Sequence, residues 1–135
     1  MIVLHDEKVI ALKAHKVGGT SFEIALSRYA NDTSIITPII LNDEKTRKDL
    51  GFRGPQNFRY SVWDFKRVGK RKLLEAIVNQ KMPMKYWNHI NAKNVCTKLG
   101  DNVWNSYTKI SIVRNPFDYM VSSYFWGVDE KNVLR

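Results

Sequence analysis

Two short apolar runs, one near each end of the chain, stop abruptly in a turn and pass straight into a helical pattern. This doubled strand–turn–helix arrangement limits the fold more than any other feature. The first run, VIALKA at residues 9–14, is rich in β-branched residues and reads as a buried strand. Gly18 and Gly19 break it, and Thr20 or Ser21 can then cap a helix whose apolar positions Phe22, Ile24, Ala25 and Leu26 lead on to Tyr29. The second run, KISIV at 109–113, reads as another buried strand. After it Asn115 suits an N-cap, Pro116 the first helical position, and Asp118 the first turn, where its charge favours the helix N-terminus. Phe117, Met120, Val121, Tyr124 and Phe125 then recur with the spacing of a core-facing stripe. Two such units joined by helical segments predict an α/β fold, with a central parallel sheet flanked by helices.

Between these units the pattern is less regular. SIITPIIL at 34–41 reads as a strand that Pro38 splits or demotes to an edge. Residues 42–72 form a polar, basic excursion containing Gly51, Gly54, Pro55 and Gly69. From Lys70 to Gln80, Leu73, Leu74, Ile77 and Val78 fall on one helical face, and NAKNVCTKLG at 91–100 predicts a short helix stopped by Gly100. No repeat or low-complexity tract interrupts the chain, and 135 residues suit one domain, 1–135.

Charge narrows the partners. The 22 Lys and Arg against 13 Asp and Glu leave a net charge of +9, so the chain should attract an anion: a nucleotide, a nucleic acid or an acidic polysaccharide. The single cysteine, Cys96, excludes an internal disulfide and a cysteine-rich metal site, and is expected to be a small buried apolar residue. His5, His15 and His89 show no paired ligand spacing, so no metal is expected. No stretch approaches the roughly 20 apolar residues of a membrane span, and MIVLHDEK is too short and too acidic for a signal peptide. A soluble, cytoplasmic protein is the expectation.

The chemistry concentrates in two loops. In KVGGTS the glycines allow a tight turn, so that backbone N–H groups converge on one anion at the positive end of the next helix. Thr20 and Ser21 add hydroxyls and Lys16 a mobile charge. The loop is not a Walker A motif, because Lys16 precedes the glycines. In IVRNPFDYMVSSY, Arg114 ends a strand and Ser122 lies off the apolar stripe of the following helix. Both could reach an anion at the carboxyl edge of the sheet. Alone, either motif could be an ordinary Gly-rich turn or a structural arginine. Together they fit a ligand with two separated phosphate-like groups.

At this point the sequence resembles a known family. HKVGGTSFE is similar to the 5′-phosphosulfate loop of sulfotransferases that use 3′-phosphoadenosine-5′-phosphosulfate (PAPS), and VRNPFDYMVSSY to their 3′-phosphate motif. The segment NHINAKNVCTKLGDNVWNSYTKISIVRNP resembles the carbohydrate branch, including relatives of heparan sulfate 2-O-sulfotransferase. The likeness covers residues 9–29 and about 86–126. It implies a P-loop-like sulfotransferase fold, PAPS as co-substrate with PAP as product, no obligatory metal, and sulfuryl transfer to a hydroxyl of a carbohydrate acceptor. It implies that Lys16 contacts the 5′-phosphate and the bridging oxygen, and that Gly18, Gly19, Thr20 and Ser21 hold the phosphosulfate. Arg114 and Ser122 would then grip the 3′-phosphate.

A base for the acceptor hydroxyl is expected at His89, which precedes the short helix where carbohydrate sulfotransferases often carry a catalytic His. The alternative is a His packed beside Trp87. His15 adjoins the loop but is expected to point away along the strand, and Glu23 to be a solvated or capping acid. GFRGPQNFRY and FKRVGKRK could line an anionic carbohydrate or be a solvated basic face, while Trp63, Trp87 and Trp104 are expected in the core. The chain ends 21 residues after Arg114, whereas family domains continue, which implies that the C-terminal part of the family domain is absent and makes a homo-oligomer plausible. The competing readings are a truncated module that binds PAPS or PAP without turnover, and a basic nucleic-acid-binding protein. No specific nucleic acid and no membrane are expected as partners.

Overall fold

The computed structural model describes residues 1–61, 69, 71, 74, 78 and 82–127. Its sheet is built from β1 (Ile2–Leu4), β2 (Val9–Leu12), β3 (Ile35–Ile36) and β4 (Thr108–Ser111), in the spatial order β3-β1-β2-β4. The expectation of a parallel sheet is corrected here. β1 runs antiparallel to both β2 and β3, and only β2 and β4 are parallel, with Val9 opposite Thr108 and Leu12 opposite Ser111. The reason is local. The acidic stretch from His5 to Lys8 makes a tight turn closed by the Lys8 N–H on the His5 carbonyl (3.3 Å), with Lys8 at φ 53°, and a connection that short permits only an antiparallel partner.

Among the described residues five α-helices have both ends defined, in chain order: α1 (Gly19–Leu26), α2 (Leu41–Asp49), α3 (Ala92–Leu99), α4 (Asp101–Ser106) and α5 (Pro116–Gly127). SIITPIIL yields only the two-residue β3, because Pro38 cannot continue the ladder and Leu41 already opens α2. Gly100, at φ 88°, ends α3 as expected, its N–H closing on the Cys96 carbonyl at 2.8 Å. Cys96 itself is half-exposed rather than buried, with Sγ 3.5 Å from an Asp101 carboxylate oxygen.

Alternation along β1 and β2 divides the core into two faces. Val3 and Ile10 join Met1, Ile35, Tyr86, Ile90 and Val95, against which Leu99 and Trp104 of α3 and α4 pack. Ile2, Leu4, Ala11 and Ile36 face the other way and meet Phe22 and Leu26 of α1. The sheet is thus covered on both sides, which leaves its strand ends as the sites for chemistry.

Two further expectations fail at the second unit. β4 was expected to be buried, yet it is the sheet's edge strand, and only Ile110 along it is half-buried. The apolar stripe of α5 faces solvent, with Phe117 80% and Met120 66% exposed. Its spacing is helical as read, but no element among the described residues packs on it. Of the face expected from Lys70 to Gln80, Leu74 and Val78 are helical and exposed, while Leu73 and Ile77 lie outside the described residues. Trp63 and most of FKRVGKRK also lie outside them. Among the described residues no helix is long and apolar enough to cross a membrane.

Candidate active site

Because β2 and β4 are parallel and in register, their carboxyl ends emerge side by side. From the end of β2, Lys13 to Gly18 turn over the sheet edge with left-handed backbone at Lys16 (φ 57°) and Gly18 (φ 75°). Glycine adopts that region freely, whereas at Lys16 it costs on the order of 1–2 kcal/mol. Gly18, rather than Thr20 or Ser21, is the N-cap residue of α1. It brings no side-chain cap, so the first N–H groups of α1 are left for another acceptor.

Gly19 is needed for a different reason. A Cβ placed there would lie 2.9 Å from Lys13 Cγ. That close approach lets the Lys13 side chain pass beneath the helix start to Glu23, whose Oε2 is 3.1 Å from Lys13 Nζ. Glu23 is 3% exposed, not the solvated acid expected; its Oε1 also accepts from the Met1 amine at 2.8 Å. Burial pushes the carboxyl up, but the Met1 amine and then Lys13 outweigh it and hold Glu23 below its usual value of 4.5.

From the end of β4, the Arg114 guanidinium donates through Nη1 to the Lys16 carbonyl at 3.1 Å. This bond fastens the segment after β4 to the loop after β2. Asn115 then caps α5 by accepting from the Phe117 N–H at 2.9 Å, which directs Ser122 back toward the same edge.

His89 arrives from the segment before α3, at φ 58°. Its Nδ1 lies 3.2 Å from the Lys13 carbonyl oxygen. A carbonyl can only accept, so Nδ1 carries the proton and Nε2 of the neutral ring is the free acceptor. The His15 ring stacks on it with centroids 3.7 Å apart and planes at 18°. Burial first, and then the charge of a protonated His15, lower the His89 pKa from 6.5, while its bond to the Lys13 carbonyl acts in the opposite sense.

Lys16, Gly18, Gly19, Thr20, His89, Arg114 and Ser122 all line one cavity of about 420 Å³, a volume suited to a nucleotide-sized ligand. Ser21 does not line it and is exposed on α1. Lys13, His15, Asp43 and Asn88 also line it, with the apolar Ala14, Ile39 and Ile40, and none of these was expected among the site residues. His15 was expected to follow strand alternation away from the loop. The strand ends at Leu12, however, so alternation no longer governs it, and the left-handed turn at Lys16 leaves its ring against His89. Asp43, from the first turn of α2, has no local sequence signal that could have found it. Among the described residues no cluster of three or more His, Cys, Asp or Glu side chains could hold a metal ion.

A model of the sulfotransferase family matches residues 1–132. No curated protein and no solved structure matches the chain.

Proposed function

The chain belongs to the sulfotransferase family, and from that premise we propose that it transfers a sulfuryl group from PAPS to a hydroxyl of a carbohydrate acceptor. The observation that carries this reading is the convergence of two distant motifs on one cavity, with the Arg114 guanidinium bonded to the Lys16 carbonyl. A loop over a helix N-terminus suits one anionic group, and the fork-shaped Arg114 cation on the same cavity suits a second.

In this reading the N–H groups at the start of α1, with Lys16 and Thr20, hold the phosphosulfate, while Arg114 and Ser122 hold the 3′-phosphate. His89 Nε2 takes the acceptor's proton as its oxygen bonds to sulfur and the sulfur–bridging-oxygen bond breaks. The Lys16 ammonium offsets the charge that develops on the departing 5′-phosphate. Positioning and fixed charge supply most of the rate enhancement, as expected for transfer of a group that is already highly charged. The whole sequence, 1–135, acts as one unit in this reading.

Calorimetric titration with PAP, beside ATP and AMP, tests it. PAP should bind more tightly than either, and Lys16→Ala and Arg114→Ala should each weaken it about tenfold or more. Incubation with PAPS and a uronic-acid oligosaccharide should then yield sulfated product, lost in His89→Ala. Equal affinity for PAP and ATP, or transfer unaffected by His89→Ala, would overturn the assignment.

A further inference from the structure

A second cavity, of about 520 Å³, opens at the opposite end of the sheet, where His5 leaves β1. Its wall is built by two segments that continue the sheet irregularly. Gln56 bridges to Ile36, and Arg59 to Met84. The Lys85 and Tyr86 N–H groups both reach the Phe58 carbonyl, at 2.8 and 2.9 Å. This pairing holds Arg59 and Lys85 at the same opening. Neither has a carboxylate partner among the described residues: Asp6 bonds the Asn31 amide, and Asp32 pairs with Arg53.

We propose that this cavity is a second anion site, which docks a sulfated or uronic-acid-bearing saccharide chain apart from the nucleotide cavity. Arg59 and Lys85 match sulfate and carboxylate groups, while Thr33 Oγ1 and Asn57 Oδ1, whose donor hydrogens already go to Asn31 and to the Asp32 and Ser34 carbonyls, can accept from saccharide hydroxyls. Nucleic acid fits less well. The Arg59 guanidinium lies 5.0 Å over the Phe58 ring and Lys85 Nζ 5.4 Å over the Tyr86 ring, and Tyr86 is 2% exposed, so cations already cover the rings on which bases would stack. The two cavities lie at opposite ends of the sheet, and the four-residue β2 by itself spans about 13 Å at 3.3 Å per residue, so only an extended chain could engage both. That the docked chain is also the acceptor rests on the function proposed above; the anion site itself does not.

The test is titration of the full chain with a sulfated heparin octasaccharide, its desulfated counterpart and a single-stranded DNA of equal charge. The variants are Arg59→Gln, whose amide can still donate to the Met82 carbonyl as Arg59 does, with Lys85→Ala and Lys85→Arg. Lys45→Ala, exposed on α2, is the charge-matched control. Arg59→Gln and Lys85→Ala should each weaken the sulfated octasaccharide about tenfold, with Lys85→Arg and the control near wild type and PAP affinity unchanged. Thermal melting confirms that each variant is folded. Equal losses in the control, unchanged affinity in both site variants, or DNA binding as tight as saccharide binding would overturn the proposal. If the saccharide depends on Arg59 and Lys85 but PAP does not bind, the anion site stands and the sulfotransfer reading fails.

Discussion

His15 and His89 stack face to face, 3.7 Å between ring centroids, at the mouth of the loop that follows β2. Two imidazolium rings at that spacing would repel strongly, and Lys13, Lys16 and Arg114 on the same cavity add to the positive field, with Asp43 the one lining carboxylate among the described residues. His89 should therefore titrate below 6.5 in an NMR pH series, burial being the larger cause and His15 the next. His15→Phe keeps a flat ring without a charge and should raise the midpoint part of the way back. Because the folded pKa is the lower one, stability should fall as pH drops through 6.5 and level off below the His89 midpoint. A midpoint at or above 6.5 would sink this account.

Glu23 and Lys13 form a buried pair beneath the start of α1. Glu23→Gln should destabilise the protein by about 3 kcal/mol in urea unfolding, since it leaves the Lys13 cation buried without its counter-charge. The wild-type contribution should persist above the usual carboxyl value of 4.5 and be lost as pH falls through the depressed folded value. A variant whose acid unfolding matched wild type would refute the pairing's importance.

The two glycines of the loop should fail differently. Gly18→Ala meets open space and bears only the cost of φ 75°, about 1 kcal/mol, which Gly18→Asn should partly recover. Gly19→Ala drives a methyl against Lys13 Cγ and should cost about 1–3 kcal/mol. Denaturant midpoints measure both, and equal rescue by Asn at the two positions would contradict the distinction.

Arg114→Lys should lower PAP affinity about tenfold while leaving AMP affinity nearly unchanged, if the fork geometry serves the 3′-phosphate. Lysine still offers an N–H donor to the Lys16 carbonyl but no fork, and Arg114→Gln offers an amide donor without the charge, so the two variants together separate loop support from anion binding. Loss of AMP and PAP binding in equal measure would place Arg114 in loop support alone.

Features set by a few neighbouring bonds were legible in the chain. Gly18 and Gly100 at positive φ and Asn115 at the head of α5 each depend on local sterics or one hydrogen bond. Lys16, Thr20, Arg114 and Ser122 stand in or beside two turns of recognisable chemistry at strand ends, which a local pattern marks without saying that they meet. What stayed hidden depended on what lay alongside. Glu23 carries no mark of burial in its own helix, and only the arrival of the Met1 amine, with Lys13 passing under Gly19, makes its position tenable. The stripe on α5 has the spacing of a core face, yet spacing states which residues share a side, not what covers it.

By itself, then, the sequence determined where the chain turns and which side chains stand at those turns, since backbone sterics and capping act over a few residues. Only the tertiary structure decided that β1 pairs antiparallel while β2 and β4 run parallel, and hence that Lys16, His89 and Arg114 share one cavity with His15 against His89. Strand pairing and ring stacking draw their free energy from segments far apart in the chain, and no local pattern encodes which distant segment will arrive.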